Sequence, residues 1–389
     1  MLGKIIDGKK HASVIAVNLK KSIQDYINQQ YCMNVQKILK NNNSMSLHID
    51  IDDIFPSKNS LIDKSHISDV TSEIKNYKLN RFNEISQSID SYFQLHKKDN
   101  QDSISSLTQS LCTVTRPCLA IIHVGNNSAS AVYIRNKIRK ANELGIDTLY
   151  ISVSEDIIQE DIINIIKSLN VNDYVHGIIV QLPLPNHLNS IDILESISHI
   201  KDVDGLHPLN LAYLSLNIDK GIKSCTPLGC LHLLKATLGS DLSGLSVVIL
   251  GRSNIVGKPL SYMLTNENCT VSIAHSQTKN LIKLTKQADI VVSAIGKPHF
   301  LNANFFKPSA TVLDVGINRI DTNIFDRKNY TQNDIIKASQ KIVGDVDFYN
   351  TIDHVQYITP VPGGIGPMTV ICLLQNTFDA YKNLQSSKK

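Results

Sequence analysis

Two separate series of alternating strands and helices constrain the fold of this sequence more than any other feature. In the first series, over residues 118–182, short apolar runs alternate with segments of helical periodicity, and residues 245–315 repeat this alternation. Because such alternation builds a parallel sheet with helices on its faces, the sequence predicts two α/β units. The predicted strands cover residues 118–124, 148–153, 177–182, 245–250, 270–274, 289–294 and 311–315, and the predicted helices cover 130–144, 157–169, 258–265 and 280–287.

The length of the chain also indicates more than one domain, since 389 residues exceed one ordinary hydrophobic core. We expect a first α/β domain built from residues 1–225 and 358–389, a Rossmann-like domain inserted at residues 226–357, and a cleft between the two. Residues 31–115 differ from both, because they are rich in Asn, Ser, Asp and Lys and contain no Gly. This composition predicts an insertion of loop or loosely packed helix, with disorder in its polar tracts.

Composition narrows the class of protein. The net charge is only +4 and the basic residues are scattered, so a nucleic-acid partner is not expected. No apolar run approaches the ~18 residues of a membrane span, and the N-terminus lacks the apolar segment of a secretory signal. The seven cysteines form no CxxC pair and no metal-ligand spacing. We therefore expect reduced thiols, a cytoplasmic location, no membrane partner and no bound metal.

A phosphate-binding layout follows the first strand of the second series. That strand runs directly into residues 251–257, Gly-Arg-Ser-Asn-Ile-Val-Gly, which precede a predicted helix. Because a glycine turn at a helix N-terminus favours anions, the sequence indicates a dinucleotide site, with a plain tight turn as the alternative. Five residues separate the two glycines, whereas a Walker A loop has four, so ATP chemistry through this loop is excluded.

The choice of coenzyme depends on the residues after the second strand of this series. NAD sites usually carry an acid there to hold the ribose 2′-hydroxyl, but this chain has His275, Ser276 and Gln277. Arg252 can pair with a 2′-phosphate, and Ser276 can hydrogen-bond to it. We therefore predict NADP rather than NAD as the cofactor.

A loop near the C-terminus and a few polar side chains are candidates for a ligand site. Residues 360–369 contain three Pro and three Gly, which favours a stiff loop whose backbone can approach a flat ligand. Tyr133 and Lys137 share a helix face, and such a Lys can transfer protons. Gln181, at a strand end, can hydrogen-bond the Lys amine, and the loop residue Asp204 suits the N–H donors of an amino-pyrimidine edge.

Each of these candidates also has an ordinary structural interpretation. The loop over 360–369 can be a strand-to-helix turn. Tyr133 and Lys137 can be a half-buried Tyr beside a solvated Lys. Gln181 can simply end its strand, and Asp204 can be a solvated turn acid.

The ordered set of motifs resembles the bifunctional methylenetetrahydrofolate dehydrogenase/methenyltetrahydrofolate cyclohydrolase family. The resemblance covers most of the chain and leaves only residues 31–115 without a counterpart. The motifs lie at residues 124–137, 180–185, 201–205, 225–227, 251–257, 275–276, 314–318, 344–346 and 362–369.

The resemblance implies a role for each candidate residue. Lys137 is then the catalytic Lys, Gln181 positions it, Tyr133 stacks on the folate and Asp204 anchors the pterin. The further substrate-binding residues implied are Ser130, Val180, Leu182, Pro362, Gly363, Gly364, Ile365 and Gly366. The residues implied to hold NADP are Gly251, Arg252, Ser253, Ser276 and Ile317. Gln277 departs from the family, where a basic residue is common, and this weakens the expected grip on the 2′-phosphate.

The implied activity is oxidation of 5,10-methylenetetrahydrofolate with NADP⁺, followed by hydrolysis of the methenyl product to 10-formyltetrahydrofolate. Two alternatives are a dehydrogenase without the hydrolytic step and a binding protein that has lost catalysis. The family analogy also implies a homodimer.

Overall fold

The computed structural model describes residues 4–41, 59–63, 69–74, 76–77, 80, 83–84, 87, 115–125, 128–321 and 340–387. Contacts between residues divide the chain into two compact units. One combines Met1–Ile15 with Pro208–Cys372 and is named here the 208–372 unit. The other combines Ala16–His207 with Leu373–Lys389 and is named the 16–207 unit. The predicted α/β class is confirmed, because each unit is built on a parallel sheet. The domain boundaries near residues 225 and 358 stay predictions.

The elements alternate along the chain as the sequence predicts. The strands are β1 (Lys4–Ile5), β2 (Asn59–Asp63), β3 (Cys118–Val124), β4 (Asp147–Val153), β5 (Gly177–Val180), β6 (Ser246–Leu250), β7 (Thr270–Ala274), β8 (Ile290–Ser293), β9 (Thr311–Asp314), β10 (Asn318–Asp321), β11 (Gln340–Val343) and β12 (Tyr357–Ile358). The α-helices are α1 (Gly8–Asn41), α2 (Ser128–Glu143), α3 (Gln159–Asn170), α4 (Ser190–Glu195), α5 (Pro208–Ser215), α6 (Cys225–Leu238), α7 (Gly257–Asn266), α8 (Leu281–Gln287), α9 (Phe348–Thr351) and α10 (Ile365–Ser386), with a 3₁₀ turn at Ala303–Phe305.

The sheet of the 16–207 unit has four parallel strands in the order β2-β4-β3-β5. Every residue of β3 is buried, as expected for a central parallel strand covered on both faces. Helix α3 packs on one face through Ile162, Ile165, Ile166 and Leu169, which share one helix side and are fully buried. The carboxyl ends of these strands therefore meet at one edge, which positions the residues that follow them.

The edge strand β2 comes from the predicted insertion, and sequence reasoning did not predict it. All five of its residues pair in parallel with β4. Residues 69–74 are helical, and Val70 and Ile74 are fully buried in the same hydrophobic cluster as α3. The side-chain amide of Asn172 donates to the Ile74 carbonyl at 2.8 Å. These parts of the insertion thus belong to the core of the unit, and most of its polar tracts lie outside the described residues.

The sheet of the 208–372 unit has six parallel strands in the order β1-β12-β9-β8-β6-β7. The chain runs from β6 outward to β7 and then returns to β8 on the other side of β6. This reversal creates a topological switch point between β6 and β8, where open α/β sheets bind ligands at the carboxyl ends of the strands. An antiparallel ribbon of β10 and β11 lies outside this sheet.

Two further properties of the described residues bear on the class of protein. No helix there has both the length and the apolar character needed to cross a bilayer. The five cysteines whose side chains are described are free thiols, and all are buried.

Candidate active site

Lys137 and Gln181 are joined by a hydrogen bond in the 16–207 unit. Lys137 lies on α2, and Gln181 directly follows β5; the Lys137 Nζ donates to the Gln181 Oε1 at 3.0 Å. The Gln181 side-chain Nε2 donates to the Leu182 carbonyl at 2.7 Å, so the amide is held at both ends. Because an ammonium only donates, the amide oxygen must face it. The arrangement holds the amine in place through a neutral partner.

Tyr133 lies one helical turn before Lys137 on α2, so both side chains emerge from the same helix face. Both are half-buried, whereas Ile134 beside them is buried and fixes the helix on the sheet. The opposite side of α2 carries the exposed Arg139, which pairs with Glu143. The helix therefore separates a solvated charged face from a face that can contact a ligand.

Asp204 lies in a loop that neighbouring residues hold tightly. Lys201 is buried and donates to the carbonyl of Leu169, in the last turn of α3, and to that of Asn172, just beyond the helix. Asp202 is buried and accepts the backbone N–H of His207 at 2.7 Å. These contacts fix the loop while Asp204 stays half-buried, so Asp204 is the acid of this loop that can meet a ligand.

The other predicted substrate residues of this unit differ in how far their side chains are buried. Val180 is buried in the hydrophobic cluster at the end of β5, so its side chain contributes to the core. Leu182 is half-buried. The backbone of Ser130 belongs to the first turn of α2, and its side chain lies outside the described residues.

His123 is a polar residue beside this site that sequence reasoning missed. The backbone N–H of Gln181 bonds to the Ile122 carbonyl, which places His123 opposite Gln181 on the neighbouring strand. His123 is buried, its Nδ1 lies 3.0 Å from the Tyr150 hydroxyl, and its Nε2 has no partner among the described residues. Burial lowers the pKa of His123, so the ring is neutral at pH 7. In the sequence, His123 could have been found as the one polar residue within an apolar strand.

The glycine turn after β6 forms a close cradle in the 208–372 unit. Gly251 has a positive φ of 116°, and a Cβ there would lie 2.4 Å from the Ala294 carbonyl oxygen. A Cβ on Gly257 would lie 2.1 Å from the Gly251 carbonyl oxygen. Glycine at both positions lets the turn pass close to the loop after β8 and to the start of α7. This geometry fits a dinucleotide phosphate at a helix N-terminus.

The remaining predicted NADP residues lie at the same edge of the sheet. Arg252 and Ser253 are exposed in the turn after β6. Ser276 is exposed in the turn after β7, where the His275 N–H donates to the Thr278 hydroxyl at 2.8 Å. Ile317 follows β9 and is 48% exposed. Since β7, β6, β8 and β9 are consecutive in a parallel sheet, their carboxyl ends share one edge.

The Pro/Gly-rich loop, Pro362 to Gly366, also belongs to the 208–372 unit. The Gly364 N–H bonds to the Pro360 carbonyl at 2.9 Å, and Gly363 has a positive φ of 116°. The N-terminus of α1 supports this loop, because the Lys9 N–H donates to the Gly363 carbonyl at 3.1 Å. The loop leads directly into α10, where Ile365 is buried and Gly366 is half-buried.

The structure thus brings the predicted residues together in two groups, one in each unit. Lys137, Gln181, Tyr133 and Asp204 lie on α2 and on segments following β5 in the 16–207 unit. The cofactor residues lie at the carboxyl edge of the sheet in the 208–372 unit. Within the described ranges, no group of three His, Cys, Asp or Glu side chains has the geometry to hold a metal ion.

Comparison with protein families matches both halves of the chain. Residues 84–204 match the family described as "Tetrahydrofolate dehydrogenase/cyclohydrolase, catalytic domain". Residues 224–385 match "Tetrahydrofolate dehydrogenase/cyclohydrolase, NAD(P)-binding domain".

Individual relatives match over most of their length. The chain is 53% identical to the bifunctional protein FolD of Rickettsia bellii over 266 residues, which is 68% of this chain and 88% of that protein. It is 51% identical to the protein of the same name from Rickettsia typhi, over 70% of this chain and 89% of that protein.

Solved structures show the same similarity. The bifunctional FolD enzyme of Campylobacter jejuni has a TM-score of 0.64 and 39% identity, covering 84% of this chain and 99% of that one. The Trypanosoma brucei methylenetetrahydrofolate dehydrogenase-cyclohydrolase, complexed with NADP cofactor and inhibitor, has a TM-score of 0.64 and 29% identity, covering 85% and 99%.

Proposed function

Because this chain belongs to the tetrahydrofolate dehydrogenase/cyclohydrolase family, we propose how its residues serve the two reactions of that family. The protein oxidises 5,10-methylenetetrahydrofolate to 5,10-methenyltetrahydrofolate with NADP⁺, and it hydrolyses the product to 10-formyltetrahydrofolate. The observation that carries the assignment of residues is the 3.0 Å hydrogen bond between Lys137 and Gln181.

The oxidation needs alignment more than covalent chemistry from the protein. When bound, the nicotinamide ring supplies the acceptor for the hydride that leaves the one-carbon bridge. Tyr133 stacks on the folate, and the Asp204 carboxylate accepts the N–H donors of the pterin edge. Val180 contributes through its backbone and packing, and Ser130 and Leu182 add to the folate contacts of the 16–207 unit. The loop from Pro362 to Gly366 supplies the folate contacts that the family resemblance implies for the 208–372 unit. Their task is to hold two flat rings in reacting geometry.

The hydrolysis needs proton transfers, and Lys137 is the group we assign to them. Water attacks the methenyl cation, and ring opening requires a proton to move to the leaving nitrogen. The Gln181 Oε1 accepts a hydrogen bond from the amine, and the Gln181 Nε2 donates to the Leu182 carbonyl. The amine is thereby held in one orientation, and no carboxylate among the described residues forms an ion pair with it.

NADP is the coenzyme because of the residues at the carboxyl edge of the six-stranded sheet. Gly251 and Ser253 form the phosphate turn, and Arg252 and Ser276 can hold the 2′-phosphate. Ile317 covers the same edge. The Trypanosoma brucei relative was solved with NADP, which supports this choice. Gln277 offers no positive charge, so Arg252 carries that contact here.

Assembly and location follow from the family analogy and the thiols. A homodimer is the state expected by analogy with the family. The buried free thiols suit a reducing compartment, and we propose the cytoplasm.

Substitution of Lys137 by Met tests the assignment. Lys137→Met removes the proton-transfer group while keeping a side chain of similar length, so hydrolysis of methenyltetrahydrofolate should fall by at least about a hundredfold. Folate binding, measured by calorimetry, should remain. Arg139→Met is the control, since Arg139 is an exposed cation on the same helix, lies on the side away from Lys137 and pairs with Glu143; its rates should equal those of the wild type.

Two optical signals separate the possible results. NADPH formation from methylenetetrahydrofolate reports the dehydrogenase with NADP⁺ or NAD⁺, and loss of methenyl absorbance without coenzyme reports the cyclohydrolase. Unchanged hydrolysis in Lys137→Met would refute the role of Lys137. Wild-type protein that forms NADPH but hydrolyses nothing would favour the monofunctional alternative.

A further inference from the structure

The carboxyl group of Asp345 accepts five hydrogen bonds from other residues. It is fully buried, and its Oδ2 accepts from the Ser293 hydroxyl at 3.0 Å and from the Ile295 and Gly296 N–H groups at 2.9 and 3.3 Å. Its Oδ1 accepts from the Lys297 N–H and the Asn318 side-chain amide, both at 2.9 Å. One side chain therefore satisfies three consecutive backbone amides of a single loop.

The five donors come from two segments at the carboxyl edge of the sheet. Residues 293–297 end β8 and begin the loop beyond it, and Asn318 follows the β9 loop that carries Ile317. The β8 loop borders the switch point, because a Cβ on Gly251 would strike the carbonyl oxygen of Ala294 at 2.4 Å. Asp345 thus ties together the β8 and β9 loops where the phosphate turn approaches them.

Asp345 is itself held rigidly by a second buried acid. The Asp314 carboxyl accepts the backbone N–H groups of Asp345 at 3.0 Å and of Val346 at 2.8 Å. The chain around the pair has no room for larger residues. A Cβ on Gly316 would lie 2.3 Å from the Asp345 carboxyl, and a Cβ on Gly344 would lie 1.9 Å from the Asp314 carboxyl. The position of Asp345 is therefore fixed from its backbone as well as from its side chain.

The chemistry of the donors distinguishes this network from core packing. Burying a carboxyl is costly unless hydrogen bonds compensate for lost water, and the neighbouring strands pack without polar groups through Val291 and Val312. Three of the five donors of Asp345 are instead backbone N–H groups of the loop after β8, which borders the predicted coenzyme crevice. The network stabilises one loop conformation rather than the sheet.

We propose that Asp345 is a positioning residue for coenzyme binding, which sets the β8 and β9 loops in the conformation that accepts NADP. This inference rests on the function proposed above. Asp345 acts through the loops and has no assigned contact with either substrate. It is therefore expected to matter for the dehydrogenase and for NADP affinity, and not for coenzyme-independent hydrolysis.

The variant Asp345→Asn tests this inference. The amide has nearly the same shape, but its NH₂ group cannot accept a hydrogen bond, so the donors that face one of the two oxygens lose their partner. We expect the Kd for NADP⁺, measured by calorimetry, to rise about tenfold or more, since losing such bonds is worth at least one factor of ten. The dehydrogenase KM for NADP⁺ should rise in parallel, while the cyclohydrolase kcat without coenzyme stays within about twofold of the wild type.

Asp289→Asn is the matched control in the same sheet. The Asp289 carboxylate accepts the Ser246 N–H and hydroxyl, both at 2.8 Å, and pairs with Lys307 at the amino edge of the sheet, opposite the loops. Its loss should lower the thermal midpoint without changing the Kd for NADP⁺. Asn318→Ala is a milder second variant that removes only the bond from the β9 loop and should raise that Kd about threefold to tenfold.

The three variants separate a positioning role from a general loss of stability. If Asp345→Asn and Asn318→Ala both bind NADP⁺ as the wild type does, the positioning role is wrong even though both enzyme activities persist. If Asp289→Asn weakens NADP⁺ binding to the same degree, general destabilisation accounts for the loss and the inference also fails. Failure of the wild-type protein to bind NADP⁺ at all would instead overturn the proposed function.

Discussion

At the scale of single residues, Asp314 shows how burial and hydrogen bonding compete. Three backbone N–H groups donate to its carboxyl and favour the charged form. Burial acts in the opposite direction and dominates, and the adjacent Asp345 carboxyl adds to it, so the pKa of Asp314 is raised from 3.8 to about 7. The folded protein therefore binds this proton more tightly than the unfolded chain does.

This shift predicts how stability depends on pH. Because the folded pKa lies above the unfolded one, the stabilisation from this proton is fully present below about pH 4 and is lost as the pH rises to about 7. The full effect is on the order of 4 kcal/mol, since one pKa unit corresponds to about 1.4 kcal/mol. Asp314→Asn cannot titrate, so the wild type should lose stability relative to the variant between pH 5 and pH 8. Urea unfolding of both proteins across that range measures the difference, and parallel curves would contradict the shift.

At the scale of elements, the start of α1 fixes the Pro/Gly-rich loop. Gly8 opens this helix, and a Cβ on it would lie 1.8 Å from the Gly364 carbonyl oxygen. The Asp7 carboxylate accepts the Lys10 N–H at 3.0 Å and caps the same turn. A helix N-terminus and a loop more than 350 residues later in the chain therefore form one packed element.

Gly8→Ala tests this contact directly. The added methyl group forces the loop backbone away from the helix, so the free energy of unfolding should fall by about 1–3 kcal/mol. The dehydrogenase should weaken as well, because Gly363 and Gly364 are proposed folate contacts. Ser13→Ala on the exposed side of α1, where the hydroxyl bonds only to the Lys9 carbonyl, should change stability by less than about 0.5 kcal/mol. Equal denaturation midpoints for the two variants would show that the contact carries no energy.

At the scale of the whole molecule, the insertion adds structure to the fold it interrupts. Strand β2 extends the sheet of the 16–207 unit, and Tyr77 lies with its hydroxyl 3.7 Å from the Cys118 sulfur of the central strand. On β2 itself, Ile62 faces the core at 4% exposure, whereas its neighbour Leu61 is 62% exposed. The alternation is that of a strand with one buried face.

Substitutions at two neighbouring residues of β2 measure how much the insertion contributes to the free energy of unfolding. Ile62→Ala leaves a cavity in the hydrophobic cluster and should lower the free energy of unfolding by about 2–5 kcal/mol. Leu61→Ala removes an exposed side chain and should change it by less than about 0.5 kcal/mol. Chemical denaturation followed by circular dichroism compares them. Two equally mild variants would mean that the insertion is not part of the core.

The long interior strands could be predicted from the sequence, whereas the shortest strands could not. Strands β3 and β6 contain continuous apolar runs of five and four residues, so their composition identifies them without any tertiary information. By contrast, β1 and β12 have two residues each, too few for a period, and they form only because they pair with each other and with β9. Tertiary contact, rather than local preference, decides such strands.

The same distinction applies to the candidate site. Lys137 and Gln181 could be paired in advance, because one lies on a helix and the other at the carboxyl end of a strand. Asp345 could not, since its donors lie 27 to 52 residues earlier in the sequence and converge only when β8 and β9 are adjacent. His123 could have been noticed as a polar residue in a buried strand, but its neighbours depend on the register of β3 with β5.

The pairing of β1 with β12 also affects how this chain can fold during synthesis. Lys4 and Ile5 are translated before every other strand of their sheet, but their partners Tyr357 and Ile358 are translated after all the others. The β9 side of this sheet therefore stays unpaired until β12 has left the ribosome, a state prone to wrong pairing. A fragment that begins after Ile5 would lack β1 and leave β12 as the edge strand, so the complete six-stranded sheet needs two segments that lie far apart in the sequence.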